Sequence, residues 1–200
     1  MKKKIIQIVL TVLIIILAYL LFESIMGPVR YNKERNRRRE IVINKLKDIR
    51  TAQINYKNVN GEYADTWEKL IKFLKYGKLP MVKKISNLPD SLSEISEAEA
   101  IKRGFIKIDT LYVNALDSLF GKRANFSVDE LPIIPFSGGE KFILKAGEIE
   151  KGKVKVKVFE VTAPNEAFLK GLDEHMIKRE EKSALIVGSM TEASQDGNWE

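Results

Sequence analysis

The sequence begins with one long apolar run, residues 5–26, which reads IIQIVLTVLIIILAYLLFESIM. Three lysines, Lys2, Lys3 and Lys4, precede this run, and its one charged residue is Glu23 near its end. As an α-helix rising 1.5 Å per residue, these roughly 22 residues span a hydrocarbon core of ~30 Å. A core helix of a soluble protein seldom stays apolar on every face over this length. We therefore predict a single transmembrane anchor over residues 1–26.

A cleaved signal peptide is the alternative to an anchor. The apolar region of a signal peptide is usually about 7–15 residues long and ends at a cleavage site with small residues. Here the run continues through Leu20-Leu21-Phe22-Glu23-Ser24, which offers no such site. An uncleaved anchor is therefore favoured.

The flanks of the anchor give opposite indications of its orientation. The flank after the anchor holds more Lys and Arg than the flank before it, and the positive-inside rule then places the following domain in the cytoplasm. A lysine-rich start followed directly by an apolar run is, however, typical of exported, signal-anchored proteins, and long domains translocate largely regardless of charge. We predict a protein of the inner (plasma) membrane whose soluble domain is periplasmic or otherwise extracytoplasmic.

The formal net charge of +7 is concentrated in the first third of the chain. Residues 1–60 hold 13 Lys/Arg and 4 Asp/Glu, whereas residues 61–200 hold 21 and 23. The rest of the chain is thus nearly neutral and lacks the basic stripe and reading motif of a nucleic-acid binder. The lack of cysteine excludes disulfides and thiolate sites, and a single histidine excludes multi-histidine metal sites. We predict no nucleic acid, no metal and no cofactor.

Residues 31–58 contain no Pro or Gly and predict a long amphipathic helix after Gly27-Pro28, where the spanning helix breaks or kinks. Its apolar face follows spacings of four and three residues through Val42, Leu46, Ile49, Gln53 and Tyr56. The residues expected to point to water are Arg38, Lys45, Lys47 and Arg50. Asn60-Gly61 tolerates a left-handed backbone and ends the helix.

The remaining residues alternate between short helical and extended patterns. Asp65 or Thr66 caps a helix that closes at Gly77. The extended patterns cover residues 105–109, 133–134, 141–149, 153–161 and 184–190, with a hairpin turn at 150–152. The helical patterns cover residues 93–102, 112–119 and a helix from Pro164 that carries Phe168, Leu172 and Met176.

These patterns predict an α+β fold in which the long membrane-proximal helix packs on a small antiparallel sheet. They place a transmembrane anchor at residues 1–26, followed by a basic juxtamembrane region with the long amphipathic helix at residues 27–60. An α+β globular domain covers residues 61–190, and a C-terminal tail covers residues 191–200. A Trp in a polar tail needs a place to dock, so we expect the tail to fold back and pack Trp199.

No residue stands in a pattern that predicts catalysis. Ser137-Gly138-Gly139 is similar to part of a phosphate-binding loop but lacks the Lys-Ser/Thr ending, which favours a plain turn. A general base needs an orienting partner and a nucleophile, and the sequence places neither at a characteristic spacing from His175. Trp67 is expected to anchor the core. We therefore predict no catalytic, cofactor-binding or metal residues.

The basic cluster after the anchor is the one candidate binding site. Its arginines are candidates for contact with anionic lipid headgroups: Arg35, Arg37, Arg38 and Arg39. The alternative is a solvated helix face that acts as a topology signal.

Residues 48–78 resemble the part of type IV pilins and type II secretion pseudopilins that follows their anchor. The residues that carry the resemblance are Ile49-Arg50-Thr51-Ala52-Gln53, Tyr56, Asn60-Gly61-Glu62-Tyr63-Ala64 and Leu70. The resemblance implies a spanning helix that continues into the domain, an NG-x-Y turn and an antiparallel sheet packed on the helix. The family's processing site before the apolar run has no counterpart here, so the resemblance implies the fold and not the pilus role. With its tail of Val187-Gly188-Ser189 and Gly197-Asn198-Trp199-Glu200, the whole chain also resembles an uncharacterised group of bacterial single-pass membrane proteins.

We predict a pilin-like, non-enzymatic protein for envelope assembly or scaffolding. Its predicted partners are the lipid bilayer and a membrane or envelope protein. One alternative is an anchored enzyme or ligand-binding domain with a carboxylate-based site, and another is a pseudopilin-like filament subunit.

Overall fold

The computed structural model describes residues 2–86, 106–123, 126–180 and 183–200. Its dominant element is helix α1, Lys2–Asn60, which is 59 residues long. The helix ends where Gly61 adopts φ +80°, a left-handed conformation that costs glycine little. The predicted end at Asn60-Gly61 is confirmed.

Helix α1 runs through Gly27 and Pro28 without ending, so a break at these residues is wrong. Pro28 lacks an N–H, and the carbonyl of Ser24 therefore loses its helical partner. Ser24 and Pro28 are both exposed at the end of the apolar run, where interfacial water can bond the freed carbonyl.

The first half of α1 is apolar and exposed on all sides. The large apolar side chains from Ile5 to Phe22 are each at least half exposed. Among the described residues, α1 is the one helix long and apolar enough to cross a membrane. This exposure is compatible with a membrane anchor, because bilayer lipid would cover a surface that water solvates poorly.

The second half of α1 carries one face of the core. Val42, Leu46, Ile49 and Gln53 are fully buried, and Tyr56 packs beside them as a partly buried ring. The spacing of four and three residues places these side chains on one side of the helix. The predicted apolar face is confirmed.

Within the residues that the structure describes, five strands and four further helices follow, mostly short. The helices are α2 (Trp67–Tyr76), α3 (Ala115–Phe120), α4 (Asn165–Phe168) and α5 (Glu174–Glu180). The strands are β1 (Lys78–Ser86), β2 (Ile106–Asn114), β3 (Ile143–Lys151), β4 (Val154–Pro164) and β5 (Ala184–Gly188). β1 pairs with β2, and β3, β4 and β5 form a three-stranded sheet in that order. All pairings are antiparallel, so the mixed fold with small antiparallel sheets is confirmed.

One hydrophobic core joins these elements. The buried face of α1 meets α2, β4 and β5 in a single cluster. Its largest fully buried side chains include Phe142, Phe159 and Phe168. Thr66 caps α2 by accepting a hydrogen bond from the Lys69 N–H at 3.4 Å, as the sequence predicts.

The turn between β3 and β4 lies later than predicted. Lys151 pairs with Val154, and the two residues between them, Gly152 and Lys153, have φ of +58° and +68°. Two successive positive φ values form a tight turn whose twist matches that of the strands. Lys153 therefore lies in the turn and not in the strand.

A helix does begin after Pro164, which ends β4 and is the N-cap residue of α4, but its predicted continuation through Leu172 and Met176 is wrong. Gly171 at φ +83° separates α4 from α5. Asp173 begins the second one, because its carboxylate accepts hydrogen bonds from the N–H groups of His175 and Met176. The even spacing of Phe168, Leu172 and Met176 concealed this break.

Two other helical predictions have different outcomes. The helix predicted over 112–119 begins only at Ala115, after a strand that extends through Asn114. The acidic helix predicted over 93–102 lies outside the described residues. The predicted strand over 105–109 overlaps β2 from Ile106 onward.

Candidate functional site

The junction between α1 and the domain begins close to the apolar run. Tyr31 is the first buried side chain along the described part of α1, with 6% of its surface exposed. It follows Met26 by five residues, or ~8 Å along a helix. Burial raises the pKa of the Tyr31 phenol, and the nearby Glu180 carboxylate adds to the rise. The domain therefore starts directly beside the segment that is suited to a bilayer.

Arg38 fastens the domain to α1. Its guanidinium donates hydrogen bonds to the carbonyls of Phe168 at 3.2 Å and Lys170 at 2.9 Å. It also lies over the Phe136 ring, 4.8 Å from the ring centroid. Phe136 has φ +67°, a conformation uncommon for a bulky residue. The prediction that Arg38 points to water is wrong, because its side chain is only 15% exposed.

The other three arginines of the cluster are placed differently. Arg35 donates to Glu180 at 2.7 Å and so joins α1 to α5. Arg37 stays largely exposed and pairs with Glu34 at 2.7 Å, within the helix. Arg39 is partly buried. The structure therefore joins Arg35 and Arg38 to the domain by hydrogen bonds and leaves Arg37 largely exposed, with its guanidinium 5.4 Å from the centroid of the Phe136 ring.

The position of these arginines along α1 bears on lipid contact. Arg35 and Arg39 follow Met26 by ~14 Å and ~20 Å along the helix axis, whereas the headgroup layer of one leaflet is only about 5–8 Å thick. Arg30 and Lys33 lie nearer the apolar run. Contact of the four arginines with headgroups stays a prediction, and in this geometry it requires a strongly tilted helix.

Exchanging Arg38 for Met is expected to lower the free energy of unfolding of the domain by about 1–3 kcal/mol, because two carbonyls lose a charged donor. Arg37→Met is the matched control and is expected to change it less, because Arg37 loses an exposed ion pair within α1 and a contact with the Phe136 ring but no hydrogen bond to the domain. Pulse proteolysis in urea on the full chain in mild detergent measures both values. Equal effects of the two substitutions would contradict a fastening role for Arg38.

Glu34 provides a pH-dependent reporter of the same junction. Hydrogen bonds from Arg37 and then Arg38 lower its pKa from 4.5 to about 2. A lowered carboxyl pKa stabilises the fold above pH 4.5, and this stabilisation is lost as the pH falls through about 2. We expect Arg37→Met to raise the Glu34 pKa toward 4.5, measured by carboxyl NMR titration. An unchanged pKa would show that the pair does not form in solution.

A shallow cavity of about 210 Å³ is the candidate for carboxylate chemistry. Its lining includes Glu62, Asp65, Glu148 and Lys157. Glu148 pairs with Lys157, and Asp65 pairs with Lys69 at 2.9 Å. The lysine partners hold the pKa of both carboxyl groups below the usual range. A general acid needs the opposite shift, so this arrangement is that of ion pairs on a surface.

The other residues considered for chemistry are Ser137, His175 and the two tryptophans, and none of them lies in a catalytic arrangement among the described residues. The Ser137 hydroxyl accepts from the Glu140 N–H at 2.9 Å and donates to the Ile134 carbonyl at 2.8 Å, which closes a turn. His175 is exposed on α5. Trp67 is buried in the core, and Trp199 packs against the core from the tail, as expected.

No protein-family model, no curated protein and no solved structure matches the chain. Among the described residues, no group of three or more His, Asp or Glu side chains could hold a metal ion. The arrangement that stands out is mechanical: a helix with an exposed apolar half, whose other half is locked into a folded domain.

Sequence reasoning missed the contacts that lock the domain to α1. Among them are the Arg38 fastening, the Arg35–Glu180 pair, and Gln53, whose side chain bonds both backbone groups of Ala64. Gln53 did give a signal, because it is a polar residue at the centre of an apolar helical face. Such a residue needs a fixed partner when it is buried.

Proposed function

We propose that this chain is a single-pass membrane protein of the bacterial envelope with a non-enzymatic role in assembly or scaffolding. The observation that carries the proposal is the division of α1 into an exposed apolar half and a half buried in the domain. A domain fastened within ~8 Å of the end of the apolar run has little freedom to turn about its anchor. This suits a part that presents a fixed surface to membrane neighbours.

The soluble domain in this proposal is pilin-like and extracytoplasmic. Support comes from the continuity of α1 into the domain, from Gly61 in a left-handed turn and from buried Tyr63 two residues later. An antiparallel sheet with β5 beside α1 fits the same arrangement. Each feature coincides with one that the resemblance to pilins and pseudopilins implies.

A pair of reporter fusions after Glu200 tests the orientation. We expect alkaline phosphatase, which is active only outside the cytoplasm, to give activity, and a cytoplasm-dependent fluorescent protein to stay dark. Fusions of the same reporters to a chain that begins at Tyr31 serve as the control for the anchor. A bright fluorescent fusion with an inactive phosphatase would overturn the extracytoplasmic placement.

Native electrophoresis of membranes solubilised in mild detergent tests the scaffolding role. We expect the full chain in a species clearly larger than the 22.8 kDa monomer. Trp67→Ala, which destabilises the domain and leaves the anchor sequence unchanged, is expected to reduce this species. Recovery of the wild-type chain only as a free monomer would contradict the proposal.

A further inference from the structure

Helix α5 lies beside the first buried turn of α1. Arg35 on α1 donates a hydrogen bond to the carboxylate of Glu180, the last residue of α5, at 2.7 Å. Asp173, which precedes α5, and Glu180 both lie close enough to the Tyr31 phenol to add to the rise that burial causes in its pKa. Because Tyr31 is the first buried residue along the described part of α1, α5 stands at the end of the domain next to the anchor.

The face of α5 that points away from α1 carries three basic residues. Asp173 and Glu180 are directed to α1, and Ile177 packs against the core. At about 100° per residue, these three positions share one side of the helix. The residues on the opposite side are His175, Lys178 and Arg179, and all three are exposed. Glu174 lies between the two faces, so the outer face itself carries no acidic residue.

Two further basic residues lie on α1 just beyond the apolar run. Arg30 and Lys33 are exposed and follow Met26 by ~6 Å and ~10 Å along the helix. Relative to buried Tyr31, Arg30 is turned by about 100° and Lys33 by about 200° around the helix axis, so neither points into the domain. Positive charge therefore lies on more than one side of the anchor where it enters the domain. We call Arg30, Lys33, Lys178 and Arg179 the basic collar.

The outer face of α5 reaches the headgroup layer at an ordinary tilt of the anchor. Packed helices have axes about 8–10 Å apart, which places this face about 14 Å from the axis of α1. An average tilt of about 20° toward α5 lowers it by about 5 Å. Helix α5 stands beside residues 31–35, ~8–14 Å beyond Met26, and the tilt brings it to ~3–9 Å, the depth of the headgroups. The long stems of lysine and arginine extend the charges further.

Lys178 and Arg179 distinguish lipid contact from a topology signal. Basic residues set the orientation of an anchor when they lie within about 15–20 residues of its ends. Arg30 and Lys33 lie within that range, whereas Lys178 follows Met26 by ~150 residues. Folding alone brings this pair beside the anchor. A surface of anionic headgroups attracts each Lys or Arg held close to it, so the pair is suited to lipid.

We propose that the basic collar binds the headgroups of anionic phospholipids and thereby holds the domain against the leaflet at a fixed tilt. This inference rests on the proposed single-pass membrane role and adds the lipid chemistry that the domain recognises. The apolar half of α1 inserts regardless of lipid charge, whereas the collar contacts depend on it. They weaken in neutral lipid and at high salt, because screening at about 0.5 M salt shortens the range of these charges to about 4 Å.

A fluorophore on the outer face of α5 measures this contact, and the lack of cysteine in the chain allows labelling at one site. The full chain carrying His175→Cys is labelled and reconstituted into nanodiscs of phosphatidylcholine, with or without phosphatidylglycerol at about 30% of the lipid. Both kinds of nanodisc contain the same trace of lipid with a spin-labelled headgroup, which quenches a nearby fluorophore. We expect quenching to be about twofold stronger with phosphatidylglycerol and to fall to the neutral-lipid value at about 0.5 M salt.

Lys178→Gln/Arg179→Gln is the test variant in this labelled chain. Each basic residue near an anionic surface favours contact about fivefold, so loss of two weakens it about 25-fold and returns quenching to the neutral-lipid value. Lys151→Gln/Lys155→Gln removes the same charge from exposed positions on the β3–β4 hairpin and is expected to leave quenching unchanged. The charge-conserving exchange Lys178→Arg/Arg179→Lys is expected to keep the wild-type value.

Equal quenching in the two kinds of nanodisc, or wild-type quenching in the Lys178→Gln/Arg179→Gln chain, would overturn the collar. An equal loss in the hairpin variant would contradict it as well, because net charge alone would then explain the effect. Nanodiscs present the same lipid on both sides, so the result does not depend on the orientation of the chain in the cell. The reporter fusions and native electrophoresis of the wild type test the membrane role separately, so failure of the collar and failure of the proposed function are distinguishable.

Discussion

Replacing Trp67 with Ala is expected to lower the free energy of unfolding of the domain by about 3–5 kcal/mol. Trp67 is the first residue of α2, and 9% of its surface is exposed. Its indole N–H donates to the Phe142 carbonyl at 3.1 Å, which links α2 to the residue before β3. Truncation removes a large apolar surface and leaves this carbonyl unpaired in the core.

Trp67→Phe is the control that separates the loss of the hydrogen bond from the loss of buried apolar surface. Phenylalanine keeps most of the ring but has no N–H, so we expect a smaller loss of about 1–3 kcal/mol from the unpaired Phe142 carbonyl. Pulse proteolysis of the full chain in mild detergent measures both variants without relying on tryptophan fluorescence. A loss below about 1 kcal/mol for Trp67→Ala would instead indicate a ligand-facing Trp67, since exposed sites tolerate truncation.

The sequence predicted those elements whose physics is local. The spacing of Val42, Leu46 and Ile49 fixed the buried face of α1, because helical period alone decides which side chains share a side. Thr66 and Gly61 marked helix ends, because a capping hydroxyl and a left-handed glycine act on their immediate neighbours. These features could be predicted because they depend only on residues that are close together in the sequence.

The predictions failed where a single residue overruled a longer pattern. Gly171 divides the helix expected after Pro164, although the apolar spacing continues past it. Pro28 does the reverse, because α1 continues through a residue that usually ends a helix. Its turn is exposed, so water can bond the freed carbonyl, and sequence alone does not reveal that exposure.

From the sequence, the candidate site could be predicted only as a cluster of four arginines. The sequence placed four arginines together, but their division between domain and outer surface depends on contacts more than a hundred residues away, such as Arg38 with the Phe168 carbonyl. Long basic side chains cover apolar surface with their stems, so helical position alone does not give their exposure. Arg35 reaches Glu180 across a similar separation.

Gln53→Ala is expected to lower the free energy of unfolding by about 3–6 kcal/mol, because it removes two hydrogen bonds inside the core and leaves a cavity. Gln53 is fully buried on α1. Its Nε2 donates to the Ala64 carbonyl at 2.9 Å, and its Oε1 accepts from the Ala64 N–H at 2.9 Å. Ala64 is also fully buried, so water cannot replace either bond.

Gln53→Met separates the hydrogen bonds from the cavity. Methionine has a similar length and fills the space, but it cannot pair with either group of Ala64, so we expect about 2–5 kcal/mol to remain. Pulse proteolysis in detergent gives the stabilities, and proteolytic cleavage near residues 60–66 reports whether the turn after α1 opens first. A Met variant as stable as the wild type would show that Gln53 acts only by filling space. A large loss of unfolding free energy in Gln53→Met would mean that this one amide holds the turn between α1 and α2 against α1. The same contact would then help to keep the domain fixed relative to its anchor.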